Sequence, residues 1–462
     1  MTDKMPRLRP SRPPGPRLLA PSVLAFFRHP LRYFQSLSAR YGDPFSIPFA
    51  LGGRMTVTGC PLHIATLFKA KAEQYGAVDE MGSLFYGEEA LMSLNGKDHQ
   101  VLRRHLMVAR LRKPTPLAPM IRDATLNAFE LLPIGGTFAV MPSARDLIFE
   151  IILGAVFGAM SKEERAQFWQ AFTQLHGKLG FFAVFLKALR KDLGPWSPWG
   201  GFLRARQRCH ELIDERIQRS RQRPSKDPDC LIDDWISLKA PDGAPVLSDQ
   251  QIRENVMAFL FAGHDSTSVA LTWCLYWTHY EPGVRLALLD ELGDYVQTLD
   301  VSQLESTPYL DGLCYEALRM NPIAPGVARR LKAPMTLGDI EVPAGDVVMA
   351  SIDLACNDPE VYPLPQQFHP ERYLDGAIHP RQLIHFGGGD RRCPGAELAL
   401  LELRVAVATL MARYRFSLVR HQALRGKWSH GIRKPAEDIL MRLEDRRHIG
   451  SVLRSTPPDS QP

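Results

Sequence analysis

The chain has 462 residues, 45% of them hydrophobic and 23% charged, a globular composition that can bury a large core and is unlike that of a disordered polypeptide. Its formal charge of +6 comes largely from residues 1–21, where Lys4, Arg7, Arg9, Arg12 and Arg17 stand against Asp3; the remaining body is near neutrality and lacks the basic stripe of a nucleic-acid binder. The cysteines at 60, 209, 230, 274, 314, 356 and 393 form no C-x-x-C, which disfavours zinc ribbons, iron–sulfur clusters, redox pairs and a secreted disulfide framework.

Residues 1–21 include Pro13-Pro14-Gly15-Pro16 and predict an extended, poorly ordered lead-in. The N-terminus opens on charges and prolines, so neither signal peptide nor anchor is expected. No apolar stretch reaches the roughly 18 residues of a membrane span. A soluble, cytoplasmic protein is the expectation, with a peripheral membrane contact near Phe181 and Phe182 left open. Phe45-Ser46-Ile47 and Met55-Thr56-Val57 flank Gly52-Gly53 and predict a hairpin. A second small β region is expected near 335–350, where Asp346-Val347-Val348-Met349 follows the Pro343-Ala344-Gly345 turn.

Elsewhere Leu, Ala, Arg and Glu recur at three- and four-residue spacing, with Pro or Gly at the breaks, so the expected class is mostly α with small β-sheets. Residues 114–119 read as a loop and 455–462 as a disordered tail. One helix stands apart. Ser248 and Gln251 make a capping box, and the apolar pattern runs to Glu281, where Pro282 ends it. That is a rod of about 50 Å, long enough to cross the whole molecule. At its centre Ala262-Gly263-His264-Asp265-Ser266-Thr267 interrupts an otherwise apolar sequence with residues that open a helix ladder to water or a ligand.

The sharpest motif is Phe386-Gly387-Gly388-Gly389-Asp390-Arg391-Arg392-Cys393-Pro394-Gly395, followed by an apolar helix from Ala396. The glycines allow a tight turn close to a bound group. Cys393 stands just before a helix N-terminus, where unsatisfied N–H groups favour an anionic sulfur. By itself Cys393 could be a buried thiol in a glycine turn, and the other six cysteines read as core filler.

This decapeptide resembles the cysteine-ligand loop of the cytochrome P450 family, in Phe386, Gly389, Arg391, Cys393 and Gly395. Further motifs follow the family's order. Glu316-Ala317-Leu318-Arg319 is similar to its E-x-x-R helix, and Pro370-Glu371-Arg372-Tyr373 to its P-E-R-F segment. Taken alone, E-x-x-R is a common solvated pair; with the loop, the resemblance implies a buried triad of Glu316, Arg319 and Arg372 supporting it. The 262–266 segment resembles the family's oxygen-activation site. His99, Arg103, Arg329 and Arg391 stand where the family places propionate ligands, although His99 could be an ordinary surface histidine.

The resemblance runs from about Pro13 to about residue 440 and implies one haem-binding monooxygenase domain over 22–445 with a tail from 446, no attached reductase, and a monomer. Cys393 would be the iron ligand of haem b. O2 would be the co-substrate, with electrons reaching the site from NAD(P)H through a ferredoxin reductase and a ferredoxin. Arg103, Arg104, Arg110, Arg112 and Lys113 are the candidate contacts for that acidic partner. Two residues depart from the family pattern: Ser266 replaces the usual threonine, and Cys356 a histidine often found before Asp358-Pro359.

Asp265 would relay protons and Ser266 present its hydroxyl to the oxygen being activated, with Thr267 as the alternative alcohol. A satisfied polar pair in a helix kink is the bland alternative. A peroxide-using or rearranging haem-thiolate enzyme, or a haem sensor, would not need the acid–alcohol pair. By family analogy the pocket draws on the segment after Tyr75 and on Phe181, Phe259, Ala262, Ile323, Val327 and His430. This set is mostly apolar and suits a hydrophobic secondary metabolite such as a terpenoid, fatty acid or macrolide-like compound.

Overall fold

The computed structural model describes residues 12–18, 26, 30–49, 53–76, 81–178, 190–194, 197–222, 228–376, 378, 383–429 and 431–447. Its helices are α1 (Pro30–Tyr41), α2 (Pro61–Lys69), α3 (Met81–Tyr86), α4 (Gly96–Leu106), α5 (Ala118–Glu130), α6 (Val140–Phe157), α7 (Lys162–Lys178), α8 (Pro198–Gln222), α9 (Leu231–Ser237), α10 (Asp249–Tyr280), α11 (Pro282–Leu292), α12 (Pro308–Met320) and α13 (Ala396–Arg413).

Helix α10 is the axle of the molecule. Ser248 Oγ accepts from the Gln251 N–H and the Gln251 side chain accepts from the Ser248 N–H, so two donors are satisfied at its start. At the other end Pro282 begins α11. Between them the helix is unbroken, and its hydroxyl residues are satisfied within it: Ser266, Ser268, Thr272 and Thr278 donate to carbonyls four residues back. It packs against α6, α8, α12 and α13. Most of its length is buried within one large core that includes Leu260, Val269, Trp273, Ile148, Ile152 and Leu403.

The β structure is more extensive than the sequence suggests. Strands β1 (Phe45–Pro48) and β2 (Arg54–Thr58) pair as a hairpin, and β3 is Tyr75–Gly76. They join β5 (Gly326–Leu331) and β8 (Val347–Ser351) in a single sheet of order β1-β2-β8-β5-β3. In it β2 and β8 run parallel, with Val57 opposite Met349. A separate hairpin joins β6 (Met335–Leu337) to β7 (Ile340–Val342). Residues 414–446, expected as helix, are instead mostly strand. There β4 (Thr137–Ala139), β9 (Tyr414–Leu418) and β12 (Leu440–Arg446) form a three-stranded sheet, and β10 (Gly426–Ser429) pairs with β11 (Ile432–Pro435). Met441 and Leu443 point inward from β12 while Leu440, Arg442 and Glu444 are exposed, a period of two that pairing across the chain stabilises.

The lead-in also differs from expectation. Residues 12–18 are tied to the sheet: the Ser46 N–H donates to Pro14 O at 2.9 Å, and Ser46 Oγ to Pro13 O at 2.6 Å. Arg12 pairs with buried Asp346 at 2.7 Å, so ordered structure begins before residue 21. Residues 1–11, 19–21 and 448–462 lie outside the described residues.

Candidate active site

The cysteine loop is folded by two short 3-10 turns, Ile384–Phe386 and Gly389–Arg391, and closed by the Cys393 N–H donating to Phe386 O at 2.7 Å. Gly388 lies so close to Phe68 of α2 that a Cβ would stand 2.2 Å from the ring. Gly395 caps α13, and its N–H reaches the Cys393 sulfur. Burial pushes this thiol up, while the Gly395 N–H, Arg392 and Arg103 pull it down. Cys209 and Cys230 are pushed to about 12, mainly by burial, and both are fully buried core side chains. Cys230 also meets an N–H, that of Asp233, and Arg216, but it is sealed in the core; Cys393 is only half-buried and faces the Gly395 N–H together with Arg392 and Arg103.

Around the loop the structure gathers His99, Arg103, Arg329 and Arg391. His99 is buried on α4, not on the surface, and is lowered to about 3 by that burial and by Arg391, Arg103 and Arg329. Arg391, which donates to Leu94 O and Asn95 Oδ1, is lowered to about 10 by burial, Arg329 and Arg103. Arg329 on β5 lies 5.3 Å from the Tyr75 ring centre. Among the described residues, Asp390 is the carboxylate whose charge is felt by His99, Arg103 and Arg391. Repelling, half-buried cations with so little counter-charge call for an anionic ligand.

The central turn of α10 keeps its helical form, without the opened ladder expected from its residues, but one side of it is uncovered. Ala262 is exposed, and Gly263, Asp265 and Ser266 are half-buried, in the middle of a helix buried on either side. Gly263 has Ile152 close behind it. Ser266 Oγ donates to Ala262 O at 2.5 Å on this open side. Thr267 is buried and turned to Glu402 of α13, whose carboxyl burial raises to about 8 against the Thr267 hydroxyl bond. Asp265 is held by Arg145 of α6, whose Nη2 donates to Oδ1 at 2.8 Å. Phe259 meets Trp235 edge-on, with centroids 5.6 Å apart. Ile323 is half-buried, and Val327 lies against Gly387 of the cysteine loop. Phe181, His430 and residues 77–80 lie outside the described residues.

Sequence reasoning missed Arg145, Glu402 and an aromatic wall beside the uncovered turn. Phe261 meets Phe85, Tyr86 and Phe172 at 5.9, 5.7 and 5.3 Å, and Phe85 meets Phe202 at 5.9 Å. The adjacent pair Phe85-Tyr86 in a short segment was the available signal.

Glu316, Arg319 and Arg372 come together in the core. Arg319 donates to both Glu316 oxygens at 2.7 and 2.8 Å, and Arg372 Nε to Oε1 at 3.0 Å. The His369 N–H and Tyr373 hydroxyl complete the shell at 3.0 and 3.2 Å. Arg319 also donates to Cys356 O at 2.8 Å, and the Cys356 sulfur lies 3.5 Å from His385 Nε2, next to Phe386. The triad thus reaches the start of the cysteine loop through two neighbours.

A buried acid–arginine triad, a cysteine loop capping a helix and a long, unbroken helix uncovered on one side at its centre make one architecture. The family model for cytochrome P450 matches residues 10–437, and the chain belongs to that family of haem-thiolate monooxygenases. Among its relatives, the putative cytochrome P450 135B1 of Mycobacterium tuberculosis is 27% identical over 96% of this chain and 94% of its own. The putative cytochrome P450 138 of the same species is 27% identical over 90% and 91%. The cyanobacterial CYP120A1, solved with retinoic acid bound, superposes with a TM-score of 0.79 over 95% of this chain and all of its own, at 22% identity. The residues present fit the family's haem: a thiol facing N–H and guanidinium groups suits iron, and the under-compensated cations suit two propionates. No helix among the described residues is long and apolar enough to cross a membrane.

Proposed function

We propose that this enzyme inserts one atom of O2 into a hydrophobic small molecule, by hydroxylation or epoxidation, with electrons delivered by a separate ferredoxin and its NAD(P)H-dependent reductase. The observation that carries the reading is the uncovered turn of α10, where an exposed Ala262 adjoins Ser266 and an arginine-held Asp265. In this reading Cys393 holds the iron of haem b, and His99, Arg103, Arg329 and Arg391 hold its propionates. Phe386 and Gly395 shape and cap the loop. Haem, when bound, supplies the chemistry that cleaves dioxygen, which a thiolate ligand favours. Asp265 passes protons inward from the Arg145 side, and Ser266 supplies its hydroxyl on the uncovered side of α10. The aromatic wall with Phe259, Ile323 and Val327 excludes water and holds an apolar substrate. The protein acts as a cytoplasmic monomer. The test is turnover under 18O2 with redox partners: one labelled atom per product is expected, and label arriving only from added peroxide would overturn the reading.

Ser266, rather than Thr267, is assigned the hydroxyl role because it is half-buried on the side of exposed Ala262, whereas Thr267 is buried toward α13. Ser266→Ala is expected to raise the peroxide-to-product ratio, and Asp265→Asn to slow product formation about 100-fold, the scale of a lost proton donor. Ser266→Thr should couple as well as the parent or better, since a β-branched side chain aims its hydroxyl more firmly. Thr267→Ala should stay near the parent. NADPH consumed per product formed measures all four, and damage confined to Thr267→Ala would reverse the assignment.

The docking candidates divide in two. Arg103 is half-buried toward Cys393, and Arg110 is committed to Asp234 at 2.8 Å and Pro228 O at 2.6 Å. Arg104, Arg112 and Lys113 are exposed and remain as contacts for an acidic ferredoxin. Reversing Arg112 and Lys113 to Glu should lower kcat/KM for the ferredoxin ~10-fold at low salt, with the difference shrinking as salt is added. A parent whose kcat/KM ignored ionic strength would contradict this surface.

A further inference from the structure

The segment between α12 and β5 is held from outside. Residues 321–325 form neither helix nor strand, and Pro322 and Pro325 have no N–H to give. Three donors on other elements fix them. Trp277 Nε1 of α10 donates to Asn321 Oδ1 at 2.6 Å, the Arg433 N–H of β11 to Ile323 O at 2.8 Å, and the Ile352 N–H to Pro325 O at 3.1 Å. Ile352 opens a single helical turn, Ile352–Ala355, that follows β8.

The last two of these donors are tied to each other. Arg433 Nη2 donates to Oδ2 of Asp353, the residue after Ile352. The Asp353 side chain is 0% exposed and that of Arg433 10%, so breaking the link strands a charge in the core. Burial raises the Asp353 carboxyl from its ordinary value and Arg433 opposes that rise. The hairpin is shaped around the arginine. Arg433 stands opposite Trp428, with its guanidinium 5.4 Å from the ring centre, and a Cβ at Gly426 would lie 2.5 Å from Arg433 Cδ. Among the described residues β10 and β11 pair with no other strand, and a two-stranded hairpin is marginal by itself. Strand β11 packs on α10, and the ion pair is its charged anchor on the other side of the segment.

We infer that Asp353 and Arg433 are positioning residues for the substrate, their ion pair closing a clamp on the Ile323–Pro325 segment and so setting the cavity wall at Ile323 and Val327. The inference rests on the reading of Ile323 and Val327 as cavity wall. A wall gripped from both sides offers its apolar face in one place, and a ligand that meets it loses less affinity to the ordering of the protein. Neither member of the pair has to touch the ligand.

The test uses purified holoenzyme and two probes that bind haem iron through an imidazole nitrogen, imidazole and phenylimidazole, each titrated by the shift of the Soret band. The ratio of their dissociation constants reports on the wall, because only phenylimidazole carries an apolar ring beyond the iron ligand. Asp353→Asn and Arg433→Met should each lower the preference for phenylimidazole about 10-fold, with imidazole binding as it does to the parent. The double variant should lose no more than either single one, because one clamp is removed once. It also leaves no buried charge unpaired, and it carries the test if a single variant does not retain haem. A merely structural role would weaken both probes alike and leave the ratio unmoved. Ile323→Ala and Val327→Ala test the cavity reading separately: at least one should lower the ratio, and a parental ratio in both overturns that reading. Where either of them does lower it, a parental ratio in the Asp353 and Arg433 variants, or losses that multiply in the double variant, overturns the clamp.

Discussion

Arg319→Leu is expected to give a chain that neither retains haem nor reaches the stability of the parent. Glu316 and Arg319 are both 0% exposed, so leucine would leave the Glu316 charge in the core with Arg372, the His369 N–H and Tyr373 as its remaining partners. Breaking a buried pair in this way costs about 3–5 kcal/mol, a large share of the roughly 5–15 kcal/mol that holds a native domain together. The loss also has a direction. Arg319 donates to Cys356 O, Pro365 O and Gln367 O at 2.8, 2.9 and 3.2 Å, gathering the segment that leads toward His385 and the cysteine loop. Arg319→Lys keeps the charge but not the planar fork and should fall between parent and leucine variant. Haem content and the thermal unfolding midpoint measure the effect together. A leucine variant with parental values of both would show that the triad is a bystander.

The parts of this site that could be read from sequence are those written in short, local codes. Ser248 and Gln251 mark the start of α10 because a cap satisfies donors within one turn, and Pro282 marks its end for an equally local reason. The glycine-rich approach to Cys393 is legible because close packing on Phe68 tolerates no Cβ at Gly388. What escaped depends on chain segments far apart. Arg145 reaches Asp265 across 120 residues, and nothing in the local pattern of α6 announces it. Arg110 looked like a surface cation until α9 brought Asp234 to it. The strands between 414 and 446 escaped because β12 draws its stability from β4, some 300 residues earlier, and from β9. Which hydroxyl faces which way needed the structure too, since the rotation of α10 against α13 buries Thr267 toward Glu402 and leaves Ser266 half-buried beside exposed Ala262.

Replacing Cys393 carries the other large effect. Its sulfur accepts from the Gly395 N–H and feels Arg392 and Arg103, whereas four of the other cysteines, at 209, 230, 314 and 356, have thiols raised mainly by burial or, at Cys314, by its bond to Cys274. Cys60 is the other cysteine that is not fully buried, and it serves as the control. Alanine at 393 removes a half-buried thiol that combines an oriented N–H with two guanidinium neighbours, whereas Cys230, which also meets an N–H and Arg216, is sealed in the core. The direct measurement is the spectrum of the reduced, carbon-monoxide-bound protein. The parent and Cys60→Ala should both show the red-shifted Soret band of a thiolate-ligated haem, and Cys393→Ala should lack it altogether; the band persisting in Cys393→Ala, or vanishing with Cys60→Ala instead, would contradict the assignment.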